Sequence, residues 1–242
     1  MSLGNIPLLA QATVCSLTLL LSMAALIPMS WHVSNFKGHC LLYTNGTFDN
    51  NDGHFIPDWG SSFYCYYSII INVAIVLMSM LHLVKYGVMH YQSRDSNFLG
   101  AFFDCVVSVA LTSLLFISSV FVSDGFRTWC AAIEQRFPGC EEASVTEIDP
   151  GDGIDTVGFY VMMGAIQFAQ WTCWVCWILQ SVLSIRKLCI YHERENIIVS
   201  MARERQNLHA SQKDYSLLLQ SNTQEAPDDD NNRRSDVDPI LS

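Results

Sequence analysis

Residues 98–122 read FLGAFFDCVVSVALTSLLFISSVFV, and this stretch decides the fold class. It holds 25 residues with a single formal charge, at Asp104. As a helix it would be about 37 Å long, which is enough to cross a hydrocarbon core of about 30 Å. Because a bilayer offers the backbone no water to hydrogen-bond, a segment that spans it should be helical.

Three further stretches have the same character: 6–27, 65–84 and 157–185 carry no formal charge. Each is about 20 residues or longer, so each can span the bilayer. The sequence therefore predicts an all-α membrane protein whose four-transmembrane-helix bundle contacts lipid. The first stretch could instead be a cleaved signal peptide, but it lacks a basic leader and is long for that role, so we favour a span.

The distribution of Lys and Arg predicts how the chain is oriented. Ten of the 13 lie in the hairpin between spans two and three or after span four, and three lie in the other two loops. Basic residues stay on the cytosolic side, which places both termini in the cytosol and two large loops outside. The expected location is the plasma membrane or endosomal or secretory vesicles.

Four cysteines fall on the predicted outer side, where disulfides form. Sequence alone allows three pairings, and we favour Cys40 with Cys65 and Cys130 with Cys140, because each pair closes one loop. A metal site is the alternative, since His32, His39 and His54 share the first loop. No tight ligand spacing supports it, so no metal or cofactor is expected.

Two residues match patterns for covalent modification. Asn45 begins the sequence Asn-Gly-Thr, the one glycosylation sequon of the chain, and it lies on the predicted outer side. The Asn-Gly pair is also typical of a hairpin turn. Cys189 follows Arg186 and Lys187 just inside the cytosol, a position typical of palmitoylated cysteines.

Placing polar side chains within a membrane span costs free energy, so their presence there requires an explanation. One interpretation is an ion or proton path; the other, which we favour, is hydrogen bonding between helices, with Asp104 meeting His82 or Lys85. Three Trp residues of span four also form a stripe that could pack inside the bundle or against a partner. The intramembrane polar residues are Asp104, His82, Lys85, Asn72, Gln167 and Gln170, and the stripe is Trp171, Trp174 and Trp177.

The four-span domain covers 1–192, and 193–242 form a cytosolic tail. From about residue 209 the tail is polar and acidic, which predicts that it is largely disordered. Tyr215, Leu217 and Leu218 match tyrosine-based and dileucine sorting signals, so clathrin adaptors are possible partners.

The stretch 123–140, SDGFRTWCAAIEQRFPGC, follows the third span. A disulfide here would hold Arg127 and Trp129 at the membrane surface, and buried aromatic side chains dominate binding energies at interfaces. We therefore consider these two residues for partner docking. The alternative is that Trp129 only anchors the end of the helix.

The segments FKGHCLLYTNG (36–46) and GFRTWCAAI (125–133) resemble the transmembrane protein 179 family. That resemblance covers roughly residues 1–192 and implies a claudin-like bundle capped by a small extracellular β-sheet. The chain lacks the Gly-Leu-Trp pattern of claudins and the Cys-Cys-Gly of tetraspanins. The resemblance therefore implies neither tight-junction strands nor any known activity.

Three functions remain open. We favour a non-enzymatic organiser or accessory subunit that binds another membrane protein. A small ion channel or transporter is the alternative, although the sequence has no internal repeat and no charged pore ring. An enzyme is expected least, because no catalytic set of residues stands out. No nucleic-acid partner is expected.

Overall fold

The computed structural model describes residues 6–48, 55–92, 98–142 and 158–224. They form four α-helices and one two-stranded antiparallel sheet. Every helix contains an apolar stretch long enough to cross a membrane, so the predicted fold class is confirmed. The elements, in chain order, are α1 (Ile6–Asn35), β1 (Cys40–Phe48), β2 (Phe55–Gly60), α2 (Ser62–Gln92), α3 (Phe98–Ile133) and α4 (Phe159–Gln224).

The helices alternate in direction, so the end of α1, the start of α2, the end of α3 and the start of α4 meet at one end of the bundle. The sheet packs there, and we call β1, β2 and residues 134–142 the cap. Large apolar side chains such as Leu20, Ile70 and Phe168 point outward, as lipid-facing residues do. Small and polar residues face inward; Thr18 Oγ1 of α1 and Ser79 Oγ of α2 lie 3.1 Å apart, which lets two helices approach closely.

The sheet is irregular near its first residues. Cys40 pairs with Gly60, but the register shifts before Asn45 pairs with Asp58. Within this bulge Tyr43 adopts a φ of 62°, a strained conformation for a bulky residue. Thr44 Oγ1 donates to the Cys40 carbonyl at 2.8 Å and accepts from the Gly60 N–H at 3.1 Å, which satisfies backbone groups that the bulge separates.

Asn45 and Gly46 lie inside β1 and not in a hairpin turn, contrary to the turn interpretation of this pair. The Phe55 ring packs directly over Gly46, where a Cβ would collide with it. The glycine is needed for this close approach between the strands and not for a left-handed turn.

The third helix is longer than its predicted span. It continues from Val122 to Ile133 because its inner face packs against the cap, with Gly125, Trp129 and Ala132 buried. The apolar run in the sequence predicts only the part of the helix within the membrane. The helix itself continues as far as its packing against the cap extends.

The fourth helix also differs from the prediction. It runs to Gln224, whereas disorder was predicted from about residue 209. Residues 200–220 are polar but rich in Ala, Leu, Arg, Gln and Glu, which favour helix, and extending a formed helix costs little. Contacts divide the chain into two units, Met1–Cys189 and Ile190–Ser242. Residues 225–242 lie outside the described part.

Candidate functional site

An aromatic core joins the cap to the helix ends. Trp129 of α3 packs edge-on against Phe55 of β2 at 5.4 Å and against Phe159 of α4 at 6.1 Å between ring centroids. Phe36, after α1, meets Phe159 at 6.2 Å. Edge-to-face pairs at these separations are favourable beyond the area they bury. The cluster therefore fixes three helix ends and the sheet as one body.

Two disulfides reinforce this body, and they are the pairs favoured from the sequence. Cys40–Cys65 ties the start of β1 to the first turns of α2, with the Cα atoms 5.8 Å apart. Cys130–Cys140 ties α3 to the segment that follows it, with the Cα atoms 5.1 Å apart. Both pairs lie in the cap region, as expected if this end occupies an oxidising compartment.

Trp129 is not placed to dock a partner. Its side chain is only 3% exposed, because the cap and α4 cover it. The sequence interpretation treated residues 127–129 as a surface loop, but they lie on a helix that continues beneath the cap. The burial supports the alternative that Trp129 anchors the end of the bundle. Arg127 lies two residues earlier and is exposed.

The free surface of the cap combines a few exposed residues. Ile56 of β2 is 58% exposed, an unusual state for a large apolar side chain in a sheet. Asn45 and Thr47 of β1 are exposed, so the sequon is sterically accessible. Asn45 Oδ1 accepts a hydrogen bond from the Gly46 N–H at 2.9 Å. Burial raises the pKa of the Tyr43 phenol beside this surface, and the Asp124 carboxylate adds to the effect.

A cavity of about 490 Å³ opens between α3 and α4 at the cap end. The helix α3 supplies Ser123 and Arg127, the cap supplies Glu134, and the start of α4 supplies Tyr160 and Gln167. The Cys130–Cys140 disulfide forms part of its wall. Gln167, predicted as an intramembrane polar residue, therefore lines a cavity at the end of the bundle.

The tryptophan stripe packs within the bundle and along one seam. Trp177 is buried beside Leu115 and Ile75 in the middle of the bundle. Trp171 Nε1 donates to Ser123 Oγ of α3 at 2.9 Å, and Phe116 of α3 contacts both Trp171 and Trp174. The stripe thus joins α4 to α3.

Gln170 connects three helices in the membrane interior. Its Nε2 donates to Ser68 Oγ of α2 at 2.7 Å and to Ser118 Oγ of α3 at 3.3 Å. Asn72 was predicted to bridge helices, but its Nδ2 bonds to the Ser68 carbonyl of its own helix at 2.8 Å. The Oδ1 of Asn72 and the Oε1 of Gln170 are buried without a partner within the described residues.

A second polar group lies at the opposite end of the bundle. Lys85 of α2 and Asp104 of α3 form an ion pair, one of the two contacts predicted for Asp104. His82 instead contacts Gln180 of α4, whose Nε2 lies 3.4 Å from the His82 Nδ1 and donates to the Tyr86 hydroxyl at 2.7 Å. The arrangement links three helices near the predicted cytosolic surface.

The described histidines of the first loop do not form a metal site. His32 is buried, with its ring tilted against those of Phe36 and Phe159, and His39 stacks on Trp59 at 5.0 Å between ring centroids. Across 6–48, 55–92, 98–142 and 158–224, no three His, Cys, Asp or Glu residues are grouped closely enough to hold a metal ion. His54 lies outside the described residues.

The residues predicted for lipidation and sorting are accessible. Cys189 is exposed and unpaired with other cysteines. Tyr215 and Leu217 are exposed on α4; the side chain of Leu218 is outside the described part.

Sequence reasoning missed Ile56, Gln180 and Tyr86, because strand exposure and cross-helix contacts depend on tertiary packing.

Comparison with known proteins supports the resemblance seen in the two loop motifs. A family model described as the transmembrane protein 179/179B claudin domain matches residues 7–209. The match covers the sheet, α2, α3 and nearly all of α1, and it covers α4 as far as residue 209. No solved structure matches the chain.

Proposed function

We propose that this chain, which belongs to the transmembrane protein 179/179B claudin-domain family, is a non-enzymatic accessory or organising subunit that binds another membrane protein through its cap. Family membership makes it a multi-pass membrane protein with a claudin-like domain. The role of the cap as the binding surface is our inference from its construction.

We further propose that the cap faces the exterior or the vesicle lumen and that both termini face the cytosol. Three features support this orientation: the bias of Lys and Arg, the two disulfides of the cap and the exposed Asn45 sequon. All three require the same side. We expect Asn45 to carry a glycan and Cys189, at the other side, to be available for palmitoylation.

The observation that carries the binding proposal is that the cap is preformed. Two disulfides and the Trp129–Phe55–Phe159 contacts hold it on the bundle before any partner arrives. A surface that is already ordered loses little conformational entropy on binding, so more of the contact energy appears as affinity. Ile56, an exposed apolar residue in this rigid setting, and the exposed Arg127 are the contacts we propose.

Site-specific crosslinking tests this proposal. A photoreactive residue replaces Ile56 in the full chain, in cells that express it naturally, and the control places the same residue at Ile198, also exposed but in the tail. We expect one membrane-protein adduct of constant mass from position 56, lost when Asp58→Arg crowds the same exposed face of β2 and leaves the sequon intact. The proposal fails if position 56 gives no discrete adduct, or if position 198 gives the same one.

A second candidate, a small channel or transporter, is favoured by one observation. Several buried polar atoms of the described bundle lack a protein partner, among them Gln180 Oε1, Trp177 Nε1 and Gln170 Oε1. Buried polar groups of this kind usually bind water, and a hydrated column could carry protons. Purified protein in proteoliposomes tests this function: a current that Gln180→Leu abolishes would support conduction.

The tail signals suggest how the subunit is distributed in the cell. If adaptors bind Tyr215, Tyr215→Ala should move protein from internal vesicles to the surface, while Tyr191→Ala, in the same helix, should not. If the distribution stays unchanged even after Leu217 and Leu218 are also replaced, the proposed adaptor binding is wrong.

A further inference from the structure

The cavity between α3 and α4 combines opposite charges at a membrane boundary. Arg127 lines it from α3, Glu134 lines it from the loop closed by Cys130–Cys140, and Glu141 lines it from the position just after that loop. A ligand with charges of a single sign could pair either with the arginine or with the two glutamates, but not with both. A molecule with a phosphate next to an ammonium group can satisfy both, because guanidinium binds phosphate in a forked geometry and carboxylates bind ammonium.

The depth of the cavity matches that of lipid headgroups. Asp104 pairs with Lys85 near one end of α3, and Arg127 lies 23 residues further along the same helix. That separation is about 35 Å in an α-helix, close to the hydrocarbon thickness of about 30 Å. When the Asp104 pair lies at one membrane surface, Arg127 lies at the other.

The walls of the cavity suit an ammonium group. Phe126 and Tyr160 line it, with ring centroids 5.8 Å apart. Aromatic faces attract quaternary ammonium groups, more strongly when water is partly excluded. The volume of about 490 Å³ falls within the range of small-molecule sites.

An apolar surface continues from the cavity toward the middle of the membrane. Ser123, in the cavity wall, accepts the hydrogen bond of Trp171, and Trp171 and Trp174 pack perpendicular to each other at 5.6 Å. Phe116 covers both and is itself partly exposed to lipid. Phe116 lies two helical turns from Ser123, about 10 Å along α3. A chain attached to a headgroup in the cavity would lie on these rings.

From this geometry we infer that the α3–α4 cavity binds one phospholipid with a zwitterionic headgroup, its phosphate at Arg127, its ammonium at Glu134 and Glu141, and an acyl chain over Phe116, Trp171 and Trp174. This site shares Arg127 with the proposed partner contacts but does not include Ile56. It gives the cavity of mixed charge and the aromatic seam one common ligand.

Native mass spectrometry of the full chain in detergent tests the inference. The probes are phosphatidylcholine, phosphatidylglycerol with the same acyl chains, and glycerophosphocholine, which has the headgroup without the chains. We expect one phosphatidylcholine to be retained at roughly tenfold lower concentration than phosphatidylglycerol, because its quaternary ammonium can be attracted by the carboxylates and by the aromatic faces of the cavity. Glycerophosphocholine should not be retained.

Charge variants identify the site. Arg127→Gln should weaken phosphatidylcholine retention by roughly tenfold, and Glu134→Gln with Glu141→Gln should remove the preference over phosphatidylglycerol. Lys37→Gln and Asp58→Asn make the same charge changes elsewhere at the cap end and should leave retention unchanged. Equal retention of the two lipids, retention of glycerophosphocholine as strong as that of the lipid, or equal losses in the control variants would overturn the inference.

Discussion

Gly125 of α3 lies directly against Leu42 of β1: a Cβ at position 125 would stand 2.8 Å from the Leu42 Cβ and 3.1 Å from its Cα. The close approach of helix and strand depends on the absence of a side chain. At this point the cap packs closely against α3, which is consistent with the helix continuing past its membrane span.

Gly125→Ala should therefore destabilise the cap. The added methyl group meets backbone that cannot move aside without shifting the sheet, and overpacking of this kind costs about 1 to 3 kcal/mol. Gly164→Ala in α4 is the matched control, because a Cβ there meets nothing within 4 Å. Alanine should favour the helix at 164 by up to about 1 kcal/mol. Thermal unfolding of the purified proteins should show opposite shifts; equal shifts would remove the close-approach explanation.

Trp129→Ala should behave as a folding mutation. The ring packs on Phe55 and Phe159, and loss of a buried aromatic side chain costs about 3 to 5 kcal/mol. We expect retention and degradation comparable to those of Cys130→Ser, measured by pulse-chase. Trp31→Ala, where the side chain is 61% exposed, should mature normally. Normal maturation of Trp129→Ala combined with lost partner binding would restore the docking interpretation.

The two disulfides should differ in their contribution to stability. Cys40–Cys65 spans 25 residues and Cys130–Cys140 spans 10. In the chain-entropy model their removal costs about 3.5 and 2.7 kcal/mol. Serine pairs at 40 and 65 should therefore lower the unfolding midpoint more than serine pairs at 130 and 140. The reverse order would indicate that the shorter loop stabilises the cap through native contacts.

The Lys85–Asp104 pair should connect helices without carrying current. Interhelical polar contacts in membranes contribute about 1 kcal/mol or less, so Asp104→Asn should lower the unfolding midpoint slightly. The double variant Lys85→Gln with Asp104→Asn should be no less stable than either single variant, because neither partner is left unpaired. A proteoliposome current that Asp104→Asn abolishes would contradict this role.

Sequence patterns predicted the features that depend on local composition. The four spans follow from uncharged runs such as 98–122, and the disulfide pairs follow from loop membership. Trp129 illustrates the limit: from the sequence it reads as an interfacial residue, and only the position of the cap over α3 shows that it is buried.

The polar residues show the same limit. The ion pair of Asp104 with Lys85 could be predicted, because a short hairpin makes α2 and α3 antiparallel neighbours. The partners of Gln170 lie on two helices 52 and 102 residues away, and no periodicity specifies them. The tail differs for another reason: low apolar content suggested disorder, while helix-favouring residues extend α4 to Gln224.

In the topology we propose, the disulfide-closed cap faces away from the cytosol, and glycosylation mapping tests this orientation most directly. Asn45 is the natural acceptor, and His209→Thr creates a second sequon at Asn207 in the tail. Glycosidase should increase the gel mobility of the natural chain. It should have no effect on Asn45→Gln, or on Asn45→Gln combined with His209→Thr. The contrary result is a glycosidase-sensitive shift in the combined variant with none in the natural chain. It would mean that the tail and not the cap is lumenal, which contradicts the proposed orientation.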